Sequence, residues 1–114
     1  MTFPSFLSML LPSLNARTGE SIGQPLTASS PAQIDAAVAA AHAAAGDWAA
    51  SSGAQRAALL QALASALEAE REPLVALADL ETALGPVRLN GERDRTCFQL
   101  RRFADIAQRG EPFA

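Results

Sequence analysis

The chain has 114 residues and a mass of 11.9 kDa, the size of one ordinary domain, which excludes a complete two-domain enzyme. Alanine supplies 26 of the apolar residues and only 29 larger apolar side chains (Val, Ile, Leu, Met, Phe, Trp) remain, so any core is thin. A net charge of −3 with nine arginines and no lysine argues against nucleic-acid binding, while one Cys and one His exclude an internal disulfide framework and a soft-ligand zinc site. We therefore expect a reducing, cytoplasmic setting.

Residues 1–14 form an apolar opening segment that Pro4 and Pro12 interrupt. No Lys or Arg precedes the apolar part, so the segment meets only half the requirement for a secretory signal, which stays the alternative. We expect a leader that is poorly ordered or forms an edge strand. Because no stretch reaches the roughly 18 to 20 apolar residues of a membrane helix, no membrane association is expected.

Residues 15–20 (NARTGE) predict a chain reversal, since turn residues stand at both ends and Gly19 can adopt a positive φ. Short strands are expected on either side. In the segment that follows, residues 21–26, Ile22 alone points inward. The sequence thus predicts a short N-terminal β-hairpin or extended segment.

The first helix is predicted to begin at Ser30-Pro31-Ala32-Gln33, because a hydroxyl N-cap, Pro at the first helical position and Gln three residues on form a capping box. Gly46 is expected to end this helix. Ser52-Gly53-Ala54-Gln55 repeats the capping-box spacing and predicts a second helix to about Arg71. Helical periodicity gives the two helices these apolar faces: Ile34, Val38, Ala41 and Ala45 on the first; Leu59, Leu60, Leu63 and Leu67 on the second.

Pro73 breaks the second helix and suits the first turn of a third, which Gly85-Pro86 ends. Asn90 is predicted to cap a fourth helix that runs to Arg109, with Gly110 as its terminus. The predicted fold class is therefore mainly α, with about four helices after the hairpin. The apolar faces of the last two helices are Leu74, Leu77, Leu80 and Leu84, and then Cys97, Leu100, Ala104 and Ala107.

No catalytic, cofactor-binding or metal-ligating residue is predicted. Cys97 is the only thiol and lies mid-helix on an apolar face with no base patterned around it, which favours an inert side chain. His42 has no ligand or acid at helical spacing. Glu68, Glu70 and Glu72 are two residues apart and do not face one another on a helix. Because no Gly-rich phosphate loop follows a strand, we expect no nucleotide cofactor to bind this chain alone.

Several segments, in order, resemble the aldehyde dehydrogenase superfamily. Residues 15–20 followed by Ile22-Gly23 are similar to the family opening Asn-Pro-Ala-Thr-Gly-Glu-x-Ile-Gly, although Ala16 replaces its Pro. Residues 34–41 with Trp48 resemble the family's first helix, and residues 55–72 its second. The segments 80–85, 89–92 and 99–104 are similar to the branch that oxidises α-ketoglutaric semialdehyde with NAD(P).

The resemblance implies that residues 15–114 are a partial N-terminal, cofactor-domain segment of a protein roughly four times longer. Such a protein would attack an aldehyde with a Cys thiolate, transfer hydride to NAD or NADP and hydrolyse the thioester, using residues found downstream of position 114. The segment itself would be inactive. Gly91 and Arg95 match positions that border the aldehyde tunnel, where Arg95 would favour a substrate that carries a carboxylate.

A different class of function stays open at this point. In one alternative, the chain is a stand-alone helical interaction module that binds a partner or itself through exposed leucine and alanine faces. In a third interpretation, it is the product of a decaying open reading frame and has no function. If the chain is a segment of an enzyme, its first three helices should expose apolar surface that a sheet would cover in the complete protein.

Overall fold

A computed structural model describes residues 9–110, which form two units divided between Ala50 and Ser51. Residues 1–8 of the expected leader lie outside the described range. The elements in chain order are β1 (Leu10–Leu14), β2 (Ser21–Thr27), α1 (Pro31–Ala50), α2 (Gly53–Ala69), α3 (Arg71–Thr82) and α4 (Pro86–Arg109). The mainly helical class with a short N-terminal hairpin is confirmed.

In the first unit, β1 and β2 form an antiparallel hairpin around the predicted reversal. The Asn15 side-chain oxygen accepts hydrogen bonds from the N–H groups of Arg17 and Thr18 at 2.9 and 3.3 Å, and Gly19 takes a φ of +75°. The pairing register shifts between Leu11 and Ser13, where proline stands and no N–H is available for the ladder. Within β2, only Ile22 is partly buried, as its position predicts.

Helix α1 follows the hairpin and begins at the predicted capping box. The Ser30 N–H donates to the Gln33 side chain at 2.8 Å, and the Gln33 N–H donates back to the Ser30 hydroxyl at 3.2 Å. The expectation that Gly46 ends this helix is wrong, because α1 continues to Ala50. Glycine costs a helix interior about 1 kcal/mol, and the alanines around Gly46 are the strongest helix formers, so helix is maintained through it. No residue of α1 is buried.

In the second unit, α2 packs closely against α4. The capping box at its start is confirmed, with the Gln55 N–H donating to the Ser52 hydroxyl at 3.2 Å. The core between the two helices consists mainly of small residues, and a Cβ on Gly53 would overlap the Ala107 carbonyl oxygen. Small side chains let the two backbones approach closely, so few large side chains are enclosed. The buried residues are Ala57, Ala64, Cys97 and Ala104, with Arg93 as the buried charged residue.

Helix α3 joins this pair through a short connection with two positive φ angles, at Ala83 and Gly85. The Gly85 N–H donates to the Asp79 carboxylate at 2.9 Å, which fixes the connection. The expectation that Asn90 caps the fourth helix is wrong: α4 begins at Pro86, and the Asn90 amide donates to the Pro86 carbonyl at 2.9 Å from inside the helix. Proline at the first helical position outweighs an internal Asn as a start. The predicted terminus at Gly110 is confirmed, with a φ of +70°.

The leucines of the predicted apolar faces on α2 and α3 remain substantially exposed. Their relative exposure is 39 to 46% at Leu59, Leu63, Leu74, Leu77 and Leu80. None of the helices within residues 9–110 has the length and apolarity that a bilayer crossing requires.

Candidate functional site

Helix α4 carries both residues that the sequence places beside an aldehyde tunnel. Gly91 and Arg95 are exposed and stand four residues apart, so they are neighbours on the helix surface. A Cβ built on Gly91 would meet no atom within 4 Å. There is therefore open space at Gly91, one helical turn before Arg95.

The Arg95 guanidinium makes no ion pair or hydrogen bond within residues 9–110, whereas its neighbours do. Arg71 donates to Asn90 at 3.0 Å and to Asp94 at 3.2 Å. Arg93 also donates to Asp94. Arg95 is thus a cation whose five donors are available for an anionic group.

Arg93 is buried, which its sequence pattern did not indicate. Its side chain is only 7% exposed, and its Nη1 lies 3.9 Å from the Cys97 sulfur. The Arg93 Nε is buried without a hydrogen-bond partner. A buried guanidinium is costly unless paired, and its Nη2 meets Asp94 at the edge of the helix pair. We therefore assign Arg93 a structural role, since it is packed between α2 and α4.

Cys97 lies on the buried face of α4, as predicted. The residue is 2% exposed, and its thiol donates to the Ala64 carbonyl on α2 at 3.6 Å. A thiol enclosed between two helices is out of reach of a substrate, since nucleophilic cysteines sit in partly exposed, electropositive surroundings. No acid or base chemistry can be built around it in this unit.

The carboxylate of Glu68 pairs with Arg101 of α4 instead of with another acid. Arg101 donates through Nη1 to Oε1 at 2.9 Å and through Nη2 to Oε2 at 2.6 Å. This two-pronged hydrogen bond lowers the pKa of Glu68 and raises the pKa of Arg101. Residue spacing within one helix cannot reveal this pair, because the two partners are 33 residues apart.

A cleft of about 330 Å³ lies between α3 and the first turns of α4. Its size falls in the range of small-molecule sites. Most of its polar groups are already used by the fold, because Arg71 bonds to Asn90 and Asp79 accepts from Gly85. The Glu72 carboxylate alone does not define a ligand site, and we assign the cleft no binding role. It is lined by Arg71, Glu72, Val75, Ala76, Asp79, Pro86 and Asn90.

The described residues do not fit a nicotinamide cofactor. The one helix that follows a strand, α1, closes its first turn with the Ser30–Gln33 capping box, so these N–H groups are not directed at a phosphate. Gly19 and Gly23 belong to the hairpin and do not open a helix. Within residues 9–110, no three His, Cys, Asp or Glu side chains are grouped for metal binding.

Comparison with known proteins places these features in a family. The model of the aldehyde dehydrogenase family matches residues 7–112, which is nearly the whole chain. The chain therefore belongs to the aldehyde dehydrogenase family, as the sequence motifs indicate.

Two kinds of relative illustrate the match. The chain is 37% identical to alpha-ketoglutaric semialdehyde dehydrogenase 2 of Azospirillum brasilense over 93 aligned residues. These aligned residues make up 81% of the chain and 18% of the relative. It is 38% identical to succinate-semialdehyde dehydrogenase [NADP(+)] 1 of Mycobacterium bovis (strain BCG / Pasteur 1173P2) over 73 aligned residues, which make up 64% of the chain and 16% of the relative. The chain thus spans less than a fifth of the length of these relatives.

Proposed function

We propose that this chain is an N-terminal segment of an NAD(P)-dependent aldehyde dehydrogenase, an oxidoreductase that converts an aldehyde to a carboxylic acid. The observation that carries the proposal is the family match over residues 7–112. The mycobacterial relative is named for NADP, and we keep NAD and NADP as the two candidate cofactors. The unpaired, buried Cys97 fits a reducing compartment, and we propose a cytoplasmic location.

Under this proposal the 114-residue chain alone has no dehydrogenase activity and contributes scaffold. Its one thiol is enclosed between α2 and α4. The first turn of α1 is closed by its capping box and is not directed at the phosphates of a dinucleotide. The direct test is to assay the purified chain with succinate semialdehyde and NAD or NADP, following the absorbance of the reduced nicotinamide. We expect no turnover above that of buffer. Turnover that survives Cys97→Ala would show chemistry that the proposal does not contain.

We further propose that Gly91 and Arg95 border the aldehyde path in an intact enzyme and favour substrates with a carboxylate. Arg95 is exposed and unpaired within the described chain, and there is open space at Gly91, one helical turn before it. A guanidinium offers two parallel donors that match a carboxylate. The relatives are named for semialdehydes of dicarboxylic acids, which keep one carboxylate remote from the aldehyde.

A chimera tests both the scaffold role and Arg95. This chain replaces the matching segment of the Azospirillum brasilense enzyme, and kcat/KM is measured for succinate semialdehyde and for the neutral butanal. We expect the chimera to oxidise both aldehydes, with Arg95→Ala lowering the acidic-to-neutral ratio about tenfold. Arg17→Ala, which removes an equal charge from the hairpin, should leave the ratio unchanged. An unchanged ratio in Arg95→Ala would reject the role of Arg95, while an inactive, unfolded chimera would count against the scaffold role.

The exposed leucines of α2 and α3 are expected for an enzyme segment and also fit a second candidate, a helical interaction module that self-associates through these faces. Five leucines with 39 to 46% exposure on two neighbouring helices are an unusual amount of apolar surface for a monomer. Circular dichroism and sedimentation of the 114-residue chain separate the candidates. A cooperative melt with a concentration-dependent mass supports the module. A monomer that melts without cooperativity supports a segment that needs the rest of an enzyme.

A further inference from the structure

Helix α1 carries a row of apolar residues that is open to solvent. None of the residues of α1 is buried, and the larger members of the row, Ile34, Val38 and Trp48, are 53, 65 and 48% exposed. Successive members are alternately four and three residues apart, which is the spacing by which two helices pack along one line. We call this row the α1 seam, and its members are Ile34, Val38, Ala41, Ala45 and Trp48.

The sizes of the residues make the α1 seam complementary to itself in the antiparallel direction. Its first two members are large and the next two are alanine. When a second α1 runs antiparallel, Ile34 of each copy faces Ala45 of the other, and Val38 faces Ala41. Each large side chain then lies opposite a small one, and the twofold axis produces every contact twice. A parallel pair would instead place large residues on large ones and alanine on alanine, which leaves gaps.

Two polar residues beside the α1 seam favour the same arrangement. Asp35 and His42 each directly follow a seam residue, so both flank the seam on one side. Neither side chain makes an ion pair or hydrogen bond within residues 9–110. In the antiparallel register, the Asp35 carboxylate of each copy lies beside the His42 imidazole of the other, whose N–H can donate to it. A parallel pair does not bring these two residues together.

We propose that two copies of this chain associate through antiparallel pairing of their α1 helices along the α1 seam. The matched sizes and the reciprocal pairing of Asp35 with His42 select a second copy as the occupant. Because one helix pair is a small interface, we expect the association to be reversible and dependent on concentration. The surface is distinct from the leucine faces of α2 and α3, and the inference does not depend on the dehydrogenase proposal.

Sedimentation equilibrium of the full 114-residue chain tests the pairing. We expect a mass that rises from monomer to dimer with concentration. Ala41→Gln introduces a larger polar side chain into the seam and should weaken the dimer about tenfold. The matched control Ala43→Gln lies on the opposite face of α1 and should leave the dimer unchanged. Asp35→Asn should weaken it about threefold, whereas Glu20→Gln, an equal loss of charge in the hairpin, should not.

Disulfide cross-linking tests the direction and register of the pair. In a Cys97→Ala background, a chain with Ile34→Cys is mixed with a chain with Ala45→Cys in oxidised glutathione. The two positions face each other in the antiparallel dimer, so the mixed disulfide should form faster than the disulfide between two Ile34→Cys chains. In a parallel dimer the order of the two rates would be reversed.

Three results would overturn the proposal. The first is a monomer at every concentration, which would leave the α1 seam to another occupant such as the rest of an enzyme. The second is equal weakening by Ala41→Gln and Ala43→Gln, or faster cross-linking between two Ile34→Cys chains. The third is a dimer that withstands Ala41→Gln and is lost in Leu77→Glu, because the contact would then lie on the leucines of α3. Circular dichroism of each variant confirms that helix content is retained.

Discussion

The two units of the chain are held together in different ways. In the first, α1 has twenty residues and buries none of them, and its order rests on local features: the capping box at Ser30 and the run of alanine. In the second, α2 and α4 enclose Ala64, Cys97 and Ala104 almost completely. A helix that is defined by its own sequence tolerates substitution on every face, whereas a helix pair defined by close approach depends on a few small residues. The contrast can be tested with matched changes in the two units.

The largest effect is expected at Gly53. A Cβ there would overlap the Ala107 carbonyl oxygen, so Gly53→Ala forces α2 and α4 apart and should destabilise the second unit by about 3 kcal/mol. Urea unfolding measured by circular dichroism tests this. The matched change in the first unit, Gly46→Ala, meets no atom within 4 Å and should instead stabilise α1 by about 0.5–1 kcal/mol. Equal effects at the two glycines would remove the contrast.

Overpacking should distinguish the units next. Ala104 is 1% exposed, and Ala104→Leu should lower the free energy of unfolding by about 2 kcal/mol because the core has no room for a larger side chain. Ala43→Leu on exposed α1 should change it by less than about 0.5 kcal/mol. Thermal melts of the two variants give the comparison, and a neutral Ala104→Leu would mean that the helix pair is loosely packed.

The two capping boxes are expected to contribute about equally to stability, but the loss of each should be detected by a different measurement. In both, the serine hydroxyl accepts at 3.2 Å and the glutamine side chain accepts at 2.8 Å. Ser30→Ala and Ser52→Ala should each cost about 1 kcal/mol. We expect Ser30→Ala to reduce helix content while leaving the melting temperature of the second unit unchanged, and Ser52→Ala to lower that temperature. A lower melting temperature of the second unit in Ser30→Ala would show that the units unfold together.

The smallest effect concerns the exposed ion pair of Glu68 and Arg101. The hydrogen bonds from Arg101 hold the pKa of Glu68 below its usual 4.5, so the pair stabilises the fold above that pH and the benefit is lost as pH falls through the lowered pKa. Melting temperatures of wild type and Glu68→Gln should therefore converge on acidification. In an Arg101→Gln background, Glu68→Gln should leave the pH dependence unchanged. Persistence of the full difference at acid pH would contradict the assignment.

Local rules explain what the sequence predicted well. The capping boxes at Ser30 and Ser52, the reversal at Gly19 and the terminus at Gly110 each depend on residues within one or two turns, and all are present. The predicted end at Gly46 failed because a glycine surrounded by alanine costs too little to stop a helix. The predicted Asn90 cap failed because the stronger start, Pro86, lies one turn earlier.

Contacts between helices set the limit of prediction for the candidate site. The burial of Arg93 and the pairing of Arg101 with Glu68 depend on how α2 lies against α4, which no periodicity encodes. Family motifs led to Gly91 and Arg95; the structure places both on the exposed surface of α4, and their role stays a prediction.

The rate at which a reagent modifies the enclosed Cys97 thiol measures how often α2 and α4 separate. Cys97 is the only cysteine in the sequence and is 2% exposed, so a thiol-specific reagent can modify the chain only when α2 and α4 separate. The labelling rate divided by that of the unfolded chain would give the equilibrium constant for this opening without any introduced probe. The native chain can therefore be surveyed for binding partners by the protection that each one gives to a single sulfur atom.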